Sequence, residues 1–303
     1  MNLTLRQLRA FVAVADKGSF TEASRQLHLT QSALSVLVRE LERELGVRLF
    51  DRSTRHVHMA EAGRDFYPFA LRVLNELDHA VTSVGNLRDK KKGLLRLAAP
   101  QLMACTLIPP VIAGFAEVYP DVEVKLYDTP PDQMLDAVLA GEVELAVGPD
   151  GGREAALDKR PLLRDRHWLI CPANHALTRK RKVRWGDLAG SPFIAPTRDF
   201  MARLQLQLDQ SGRGLRIVPA HEVAYMTTAM GMVAAGLGVT ACPSYSAPLA
   251  KAYGLAMRLL VEPQFYREVC IYSLAKKSLS PAAGAFVEFM QTFVKTQDVA
   301  GGP

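Results

Sequence analysis

The sequence predicts a chain of two unlike parts: an all-α head of short capped helices closed by a two-stranded wing, and a larger α/β body, with one long helix between them. Three patterns predict this. Apolar residues recur at helical spacing as far as Leu45, a single helical pattern runs from Glu61 to about Lys92, and strand-like runs alternate with helical ones after Gly93. With 303 residues, 49% of them hydrophobic and 22% charged, the chain is long enough for more than one core.

In the head, Leu5, Leu8, Val12 and Ala15 lie on one helical face, and Gly18 supplies the residue that ends a helix in the left-handed conformation. Ser19 followed by Glu22 reads as a capping box that starts a second helix, running through Ala23 to about Leu27. After a turn at His28 and Leu29, Thr30 caps a third helix. There Leu34, Val38, Leu41 and Leu45 form a buried stripe, and Gly46 ends it.

The opposite face of the third helix carries Gln31, Ser32, Ser35, Val36 and Arg39, with no acidic residue before Glu40. A helix that enters the major groove of DNA needs this layout, because its first turns approach base edges and phosphates. Gln31 and Ser32 suit base edges or phosphates, and Val36 suits a thymine methyl. Arg39, with Arg6, Arg9 and Arg25, suits phosphate contacts that position without specifying. The segment Val47 to Met59, basic at Arg48, Arg52 and Arg55, reads as a wing whose tip reaches the minor groove. A net charge of +6 favours an acidic partner. A three-helix bundle with a merely solvated face fits the same periodicity.

The run from Gly18 to Gly63 resembles the N-terminal signature of LysR-type transcriptional regulators. Ser19-Phe20, Ala23, Leu27, Gln31-Ser32-Ala33, Ser35, Leu41-Glu42, Leu45-Gly46, Leu49-Phe50, Arg52 and Glu61-Ala62-Gly63 carry the match. Val36 and Leu37 depart from it, standing where the family often has polar or charged side chains, and Ala60 replaces the usual threonine. The resemblance extends over the whole chain. It implies a sequence-specific DNA-binding regulator with three parts: a winged helix-turn-helix at residues 1–59, a linker helix at 60–92 and an effector-binding domain at 93–303.

Within the linker, Tyr67, Ala70, Leu74, Leu77, Val81 and Val84 alternate in steps of three and four, a heptad seam suited to a helix pair. Packing of this face on its own domain is the other reading, and Pro68 predicts a kink or a late start. The family resemblance implies the coiled coil, with dimers assembling into homotetramers, and so two recognition helices on half-sites of an interrupted inverted repeat.

In the body, LLRLAA, VEVKLYD and ELAVG alternate with helical stretches, which predicts a parallel sheet covered by helices. A second such series runs from HWLICP through PFIAP to AMGMVAAGLGVTACP. The family is similar here to periplasmic solute-binding proteins, which implies lobe one at 93–161 and 267–303, lobe two at 162–266, and a hinged cleft. Ligands of open α/β sheets lie beyond the carboxyl ends of strands. That rule selects Pro100, Gln101, Leu102 and Met103; Gly148 to Asp150; Pro196, Thr197 and Arg198; and Ala224, Tyr225 and Met226. Thr197 and Gln101 suit a polar ligand group, Arg198 a carboxylate, and Met103, Tyr225 and Met226 an apolar part. Core packing for the methionines and a solvated surface for Arg198 stand beside those readings.

No stretch approaches a membrane span and the N-terminus has no signal-peptide core, so a cytoplasmic location is expected. Four scattered cysteines, Cys105, Cys171, Cys242 and Cys270, form no CxxC pair. GMVAAGLGVTACP lacks the lysine and spacing of a phosphate loop, and the five basic residues from Arg179 to Arg184 read as a solvated loop. Ser244, His167, His175 and His221 stand in no triad or ligand spacing. No catalytic residue, metal or cofactor is therefore expected. The expected partners are double-stranded DNA, further copies of the chain, a small-molecule effector and RNA polymerase. The competing reading is a binding protein or enzyme built on the two-lobed fold with no DNA role.

Overall fold

The computed structural model describes residues 3–52, 57–85, 93–131, 133–152, 154–196, 198–212 and 214–296, without the side chains of 52, 76, 78–85, 198 and 199. By its packing the chain divides into two units, Met1–Lys90 with Asp136–Val143, and Lys91–Leu135 with Glu144–Pro303.

The first unit opens with α1 (Leu5–Lys17), α2 (Phe20–Gln26) and α3 (Gln31–Leu45). Gly18 closes α1 at φ 59 and Gly46 closes α3 at φ 71. Both are left-handed positions, which suit residues without a Cβ. Thr30 Oγ1 caps α3 by accepting from Ala33 N at 3.2 Å. Of the capping box expected at Ser19 and Glu22, only the Ser19 half forms, accepting from Glu22 N. The reciprocal box lies at Thr4 and Gln7 instead. Phe11, fully buried, sits among Phe50, Phe66 and Tyr67, with Phe20 edge-on to Phe50.

Strands β1 (Phe50–Arg52) and β2 (Val57–Met59) pair antiparallel as the wing. Glu42 fastens it to α3, since Glu42 Oε1 accepts from Leu49 N at 2.9 Å and Phe50 N at 3.3 Å. The linker helix α4 (Glu61–Gly85) starts at Glu61, so Pro68 lies inside it and does not delay its start. Gly63 packs against the Leu49 carbonyl, where a Cβ would come within 2.1 Å of the oxygen. Tyr67, Ala70 and Leu74 pack on the head's own core. This half of the expected seam is used internally. Phe69 (60% exposed) and Val73 (48%), one helical turn apart, present an uncovered apolar stripe among the described residues of α4. In the same unit, Arg72 Nη2 donates to Leu139 O at 2.7 Å and buried Asn75 Nδ2 donates to Gly141 O at 2.6 Å.

After the linker the chain forms β3 (Gly93–Ala99), α5 (Gln101–Thr106), α6 (Ile108–Val118), β4 (Val122–Asp128), α7 (Met134–Leu139), β5 (Leu145–Pro149), β6 (Leu157–Pro172), β7 (Lys182–Arg184), β8 (Phe193–Pro196), α8 (Arg198–Gln210), β9 (Pro219–Val223), α9 (Met226–Ala234), β10 (Thr240–Pro243), α10 (Ala247–Ala252), β11 (Leu255–Val261), β12 (Tyr266–Leu274) and α11 (Pro281–Thr296), all in the second unit except the part of α7 from Asp136. One sheet runs in the order β4-β3-β5-β12-β6-β11-β7, with β10 also on β6, and β8 pairs with β9 separately.

The sheet is mixed, which corrects the expectation of a parallel one. β3 pairs parallel with β4 and β5, whereas β12 runs antiparallel to both β5 and β6. β6 and β12 are each reached without a preceding crossover helix, the element that parallel neighbours require. Sixteen-residue β6 joins two sets of partners: it pairs with β12 up to Arg166 and with β10 from His167.

Leu95, Leu97, Phe115 and Phe286 belong to the core on one side of this change, under α6 and α11. Beyond it, Phe193 and Ala195 face one cluster with Trp185 and Leu208, while Ile194 faces another with Met230 and Met257. A strand buried on both faces reads as a continuous apolar run, which is the pattern of PFIAP. The turn after α9 needs its glycines: Gly236 is at φ 80, and a Cβ on Gly238 would stand 2.2 Å from Pro192 O.

Candidate functional site

In α3, Gln31, Ser32, Val36 and Arg39 are exposed and Ser35 is half-buried. Leu37, one of the departures from the family pattern, turns inward and packs on the head's core. Val36, the other, is 41% exposed on the outer face. Arg39 Nε donates to Ser35 O at 3.3 Å, and Arg6, Arg9 and Arg25 are exposed nearby in sequence on α1 and α2. Glu40 is half-buried and accepts from Gln7 Nε2 at 3.4 Å, which turns the first acidic side chain of α3 toward α1. Arg52 lies at the end of β1 with its side chain undescribed, and Arg55 lies outside the described residues. The result is a helix N-terminal half that presents amide, hydroxyl, methyl and guanidinium groups without a carboxylate.

In the body, a cavity of about 980 Å³ opens at the carboxyl ends of β3, β4, β5 and β8. The structure brings Pro100, Gln101, Leu102, Met103, Pro196, Ala224, Tyr225 and Met226 onto its wall, together with Pro149 and Asp150. Gly148 stands behind the wall. Met134, which does line the cavity, packs so close that a Cβ on Gly148 would lie 2.4 Å from its sulfur. Thr197 and the side chain of Arg198 lie outside the described residues. Thr227 Oγ1, on the first turn of α9, donates to Gln101 Oε1 on α5 at 3.1 Å.

The floor of the cavity lies where β6 changes partner. His167 lines it, ringed by Trp185, Phe200 and Phe265 at centroid distances of 6.0, 6.0 and 6.5 Å. Burial, with Arg267 adding to it, pushes the His167 imidazole down to about 4 despite its bond to the Phe265 backbone. The ring is therefore neutral near pH 7, and its Nδ1 finds no hydrogen-bond partner among the described residues. Asp165, two residues earlier, is buried. Burial pushes its carboxyl up to about 6, against the hydrogen bonds from Ser244 and the Arg166 backbone and the attraction of Arg267. Asp150 is held low: bonds from Gly152 N and Lys159 outweigh the effect of burial.

Sequence reasoning missed much of this wall: Asp128 to Pro131, Met134, Phe200, Arg203, Tyr245 and Tyr266 to Glu268. The carboxyl-end rule, applied to VEVKLYD, selects Asp128 and Thr129. Arg203 follows from helical spacing after β8. Nothing in the local sequence marks Tyr245 or Arg267, because the long-range pairing of β6, β10 and β12 brings them in.

A helix-turn-helix with a wing, and an α/β domain with a cavity at its strand ends, define a DNA-binding regulator that responds to a small molecule. Residues 5–64 match the family described as "Bacterial regulatory helix-turn-helix protein, lysR family", and residues 88–295 match "LysR substrate binding domain". The chain belongs to the LysR family of transcriptional regulators. It is 31% identical over 285 residues to the uncharacterized HTH-type transcriptional regulator YfeR of Shigella flexneri, spanning 94% of this chain and 92% of that one. It is 29% identical to the transcriptional dual regulator GltC of Bacillus subtilis, spanning 96% and 97%. A full-length OxyR variant from Pseudomonas aeruginosa is similar in structure, with a TM-score of 0.74, 25% identity and coverage of 99% and 97%. CbnR, a LysR family transcriptional regulator, shares the fold with a TM-score of 0.73, 20% identity and coverage of 98% and 99%. Among the described residues, no group of His, Cys, Asp or Glu is placed to hold a metal ion, and no helix is long and apolar enough to cross a membrane.

Proposed function

We propose that the chain reads its operator with the outer face of α3. Gln31, Ser32 and Val36 meet base edges, Ser35 and Arg39 meet the backbone beside them, and Arg52 and Arg55 of the wing meet flanking phosphates. The observation that carries this reading is the exposure of Gln31, Ser32, Val36 and Arg39 on one helix face, with Glu40 drawn away to Gln7. The effector occupies the cavity of about 980 Å³, in contact with Pro100 to Met103, Pro196, Ala224 and Tyr225, with Gly148 behind its wall; Thr197 and Arg198 are assigned to the same shell from the sequence. Its binding shifts the population between arrangements of the two lobes and so changes how paired heads sit on or bend the DNA.

The pairing needs at least a dimer, built along α4 through the stripe that Phe69 and Val73 expose, with pairs of dimers as the working homotetramer. The chain works in the cytoplasm without catalysis or a cofactor, and RNA polymerase is the partner through which activation acts. A CbnR structure complexed with its target DNA, at 21% identity and a TM-score of 0.72, accords with the DNA-bound role.

The test is fluorescence anisotropy of the full chain on the duplex upstream of its own gene and on single-base variants of it. Arg39→Ala is expected to weaken binding to every duplex and to flatten the salt slope by about one. Gln31→Ala is expected to change the ranking of duplexes. Identical losses on every duplex for both variants would refute this assignment.

A further inference from the structure

We infer that the effector is a monoanionic organic acid whose carboxylate docks on Arg267 at the floor of the cavity, an assignment that rests on the effector-cleft reading above. Arg267 is half-buried, lines the cavity and stands directly opposite Asp165 in the β6–β12 ladder. Asp165 is already committed: its oxygens accept from Arg166 N at 2.6 Å and Ser244 N at 2.8 Å. The Arg267 guanidinium attracts Asp165 but is left with no hydrogen bond or ion pair of its own among the described residues. A partly desolvated guanidinium with open N–H donors is costly to leave so, and a carboxylate satisfies it in a two-point geometry.

A second group on the same floor also lacks a partner: the buried Nδ1 of His167, which, with the ring's N–H bonded to the Phe265 backbone, is an acceptor that suits a hydroxyl or N–H of the occupant beside its carboxylate. Because His167 is neutral, Arg267 is the floor's one cation among the described residues. Arg203 also lines the cavity and Lys159 pairs with Asp150, yet the four carboxylates of the wall, Asp128, Asp150, Glu222 and Glu268, outnumber its two guanidiniums and oppose a ligand of higher negative charge. The rest of the occupant is apolar, to suit a lining that includes Met103, Pro131, Phe200 and Tyr245.

The test is thermal unfolding of the full chain with a panel of short aliphatic and aromatic monocarboxylates, each paired with its primary amide, followed by calorimetric titration of those that raise Tm. At least one acid should raise Tm while its amide does not. Arg267→Gln should weaken that acid's Kd about ten- to a hundredfold, and Arg267→Lys should recover part of the loss. An acid and amide that bind alike in the wild type overturn the assignment whether or not Arg267→Gln folds. So does an unchanged Kd in Arg267→Gln, or a panel in which no acid raises Tm. Ala224→Trp, which fills the cavity, separates the two claims. Binding that survives Arg267→Gln but not Ala224→Trp rejects the carboxylate anchor and keeps the cleft; binding that survives both rejects the cleft.

Discussion

Asp165 and Arg267 face each other across the β6–β12 ladder, yet the carboxylate is bonded to backbone N–H groups of Arg166 and Ser244 rather than to the guanidinium. Asp165 lies one residue from the point where β6 passes from β12 to β10, and Ser244 directly follows β10. The buried carboxyl therefore pins two neighbouring strands at the place where the body's two halves meet.

This pin makes stability respond to pH in a definite way. The Asp165 carboxyl is raised in the fold to about 6, so its contribution is fully present below about 3.8 and is lost as pH rises through 6. The His167 imidazole is lowered to about 4, so its contribution is present above 6.5 and is lost as pH falls toward 4. The two run in opposite directions over the same window, each on the order of 3 kcal/mol. Relative to wild type, Asp165→Asn should gain stability as pH rises from 4 to 6.5, and His167→Gln should lose it. Thermal melts across that window check both signs; parallel curves for all three proteins would contradict the account.

The missing side chain at Gly148 leaves room for Met134 beside the cavity. In Gly148→Ala the new methyl displaces the Met134 thioether, a flexible group, toward the cavity. Tm should fall only modestly, within about 1–3 kcal/mol of destabilisation. Affinity for any ligand of the cavity should drop several-fold, as measured by calorimetry.

Glu42 fixes the wing to the recognition helix through two backbone N–H groups. Glu42→Ala leaves those donors without their partner, at a cost of roughly 1–3 kcal/mol. Binding should weaken on all DNA sequences alike, and Glu42→Gln, which retains an acceptor, should recover most of it. Anisotropy titrations of the two variants side by side decide this.

The stripe at Phe69 and Val73 is the surface proposed to pair α4 with a second copy. Phe69→Lys should shift the chain to a smaller species in sedimentation velocity, whereas Tyr67→Phe should leave its mass unchanged. An unaltered oligomer for Phe69→Lys would move the interface elsewhere.

Local signals made the head legible. Gly18, Thr30 and Gly46 bound their helices as their chemistry dictates, and Leu34, Val38 and Leu41 are buried as their spacing predicts. The linker shows the limit of periodicity, which finds an apolar face without telling what covers it: Tyr67, Ala70 and Leu74 turned to their own domain. In the body, the loops after β3, β5 and β8 were found from the strand pattern. Arg267, His167 and Tyr245 were not, because strand exchange between β6, β10 and β12 assembles them and leaves no local periodicity. Gly148, selected as a loop residue, lies inside β5, and its role against Met134 depends on a contact no spacing reveals.

Reading of sequence by α3 is tested by the ratio of the full chain's affinity for the duplex upstream of its own gene to that for a scrambled duplex of equal length, at the same salt. A regulator of this kind should prefer the upstream duplex by about a thousandfold or more, with most of that preference lost in Gln31→Ala. Equal affinity for the two duplexes would contradict the account.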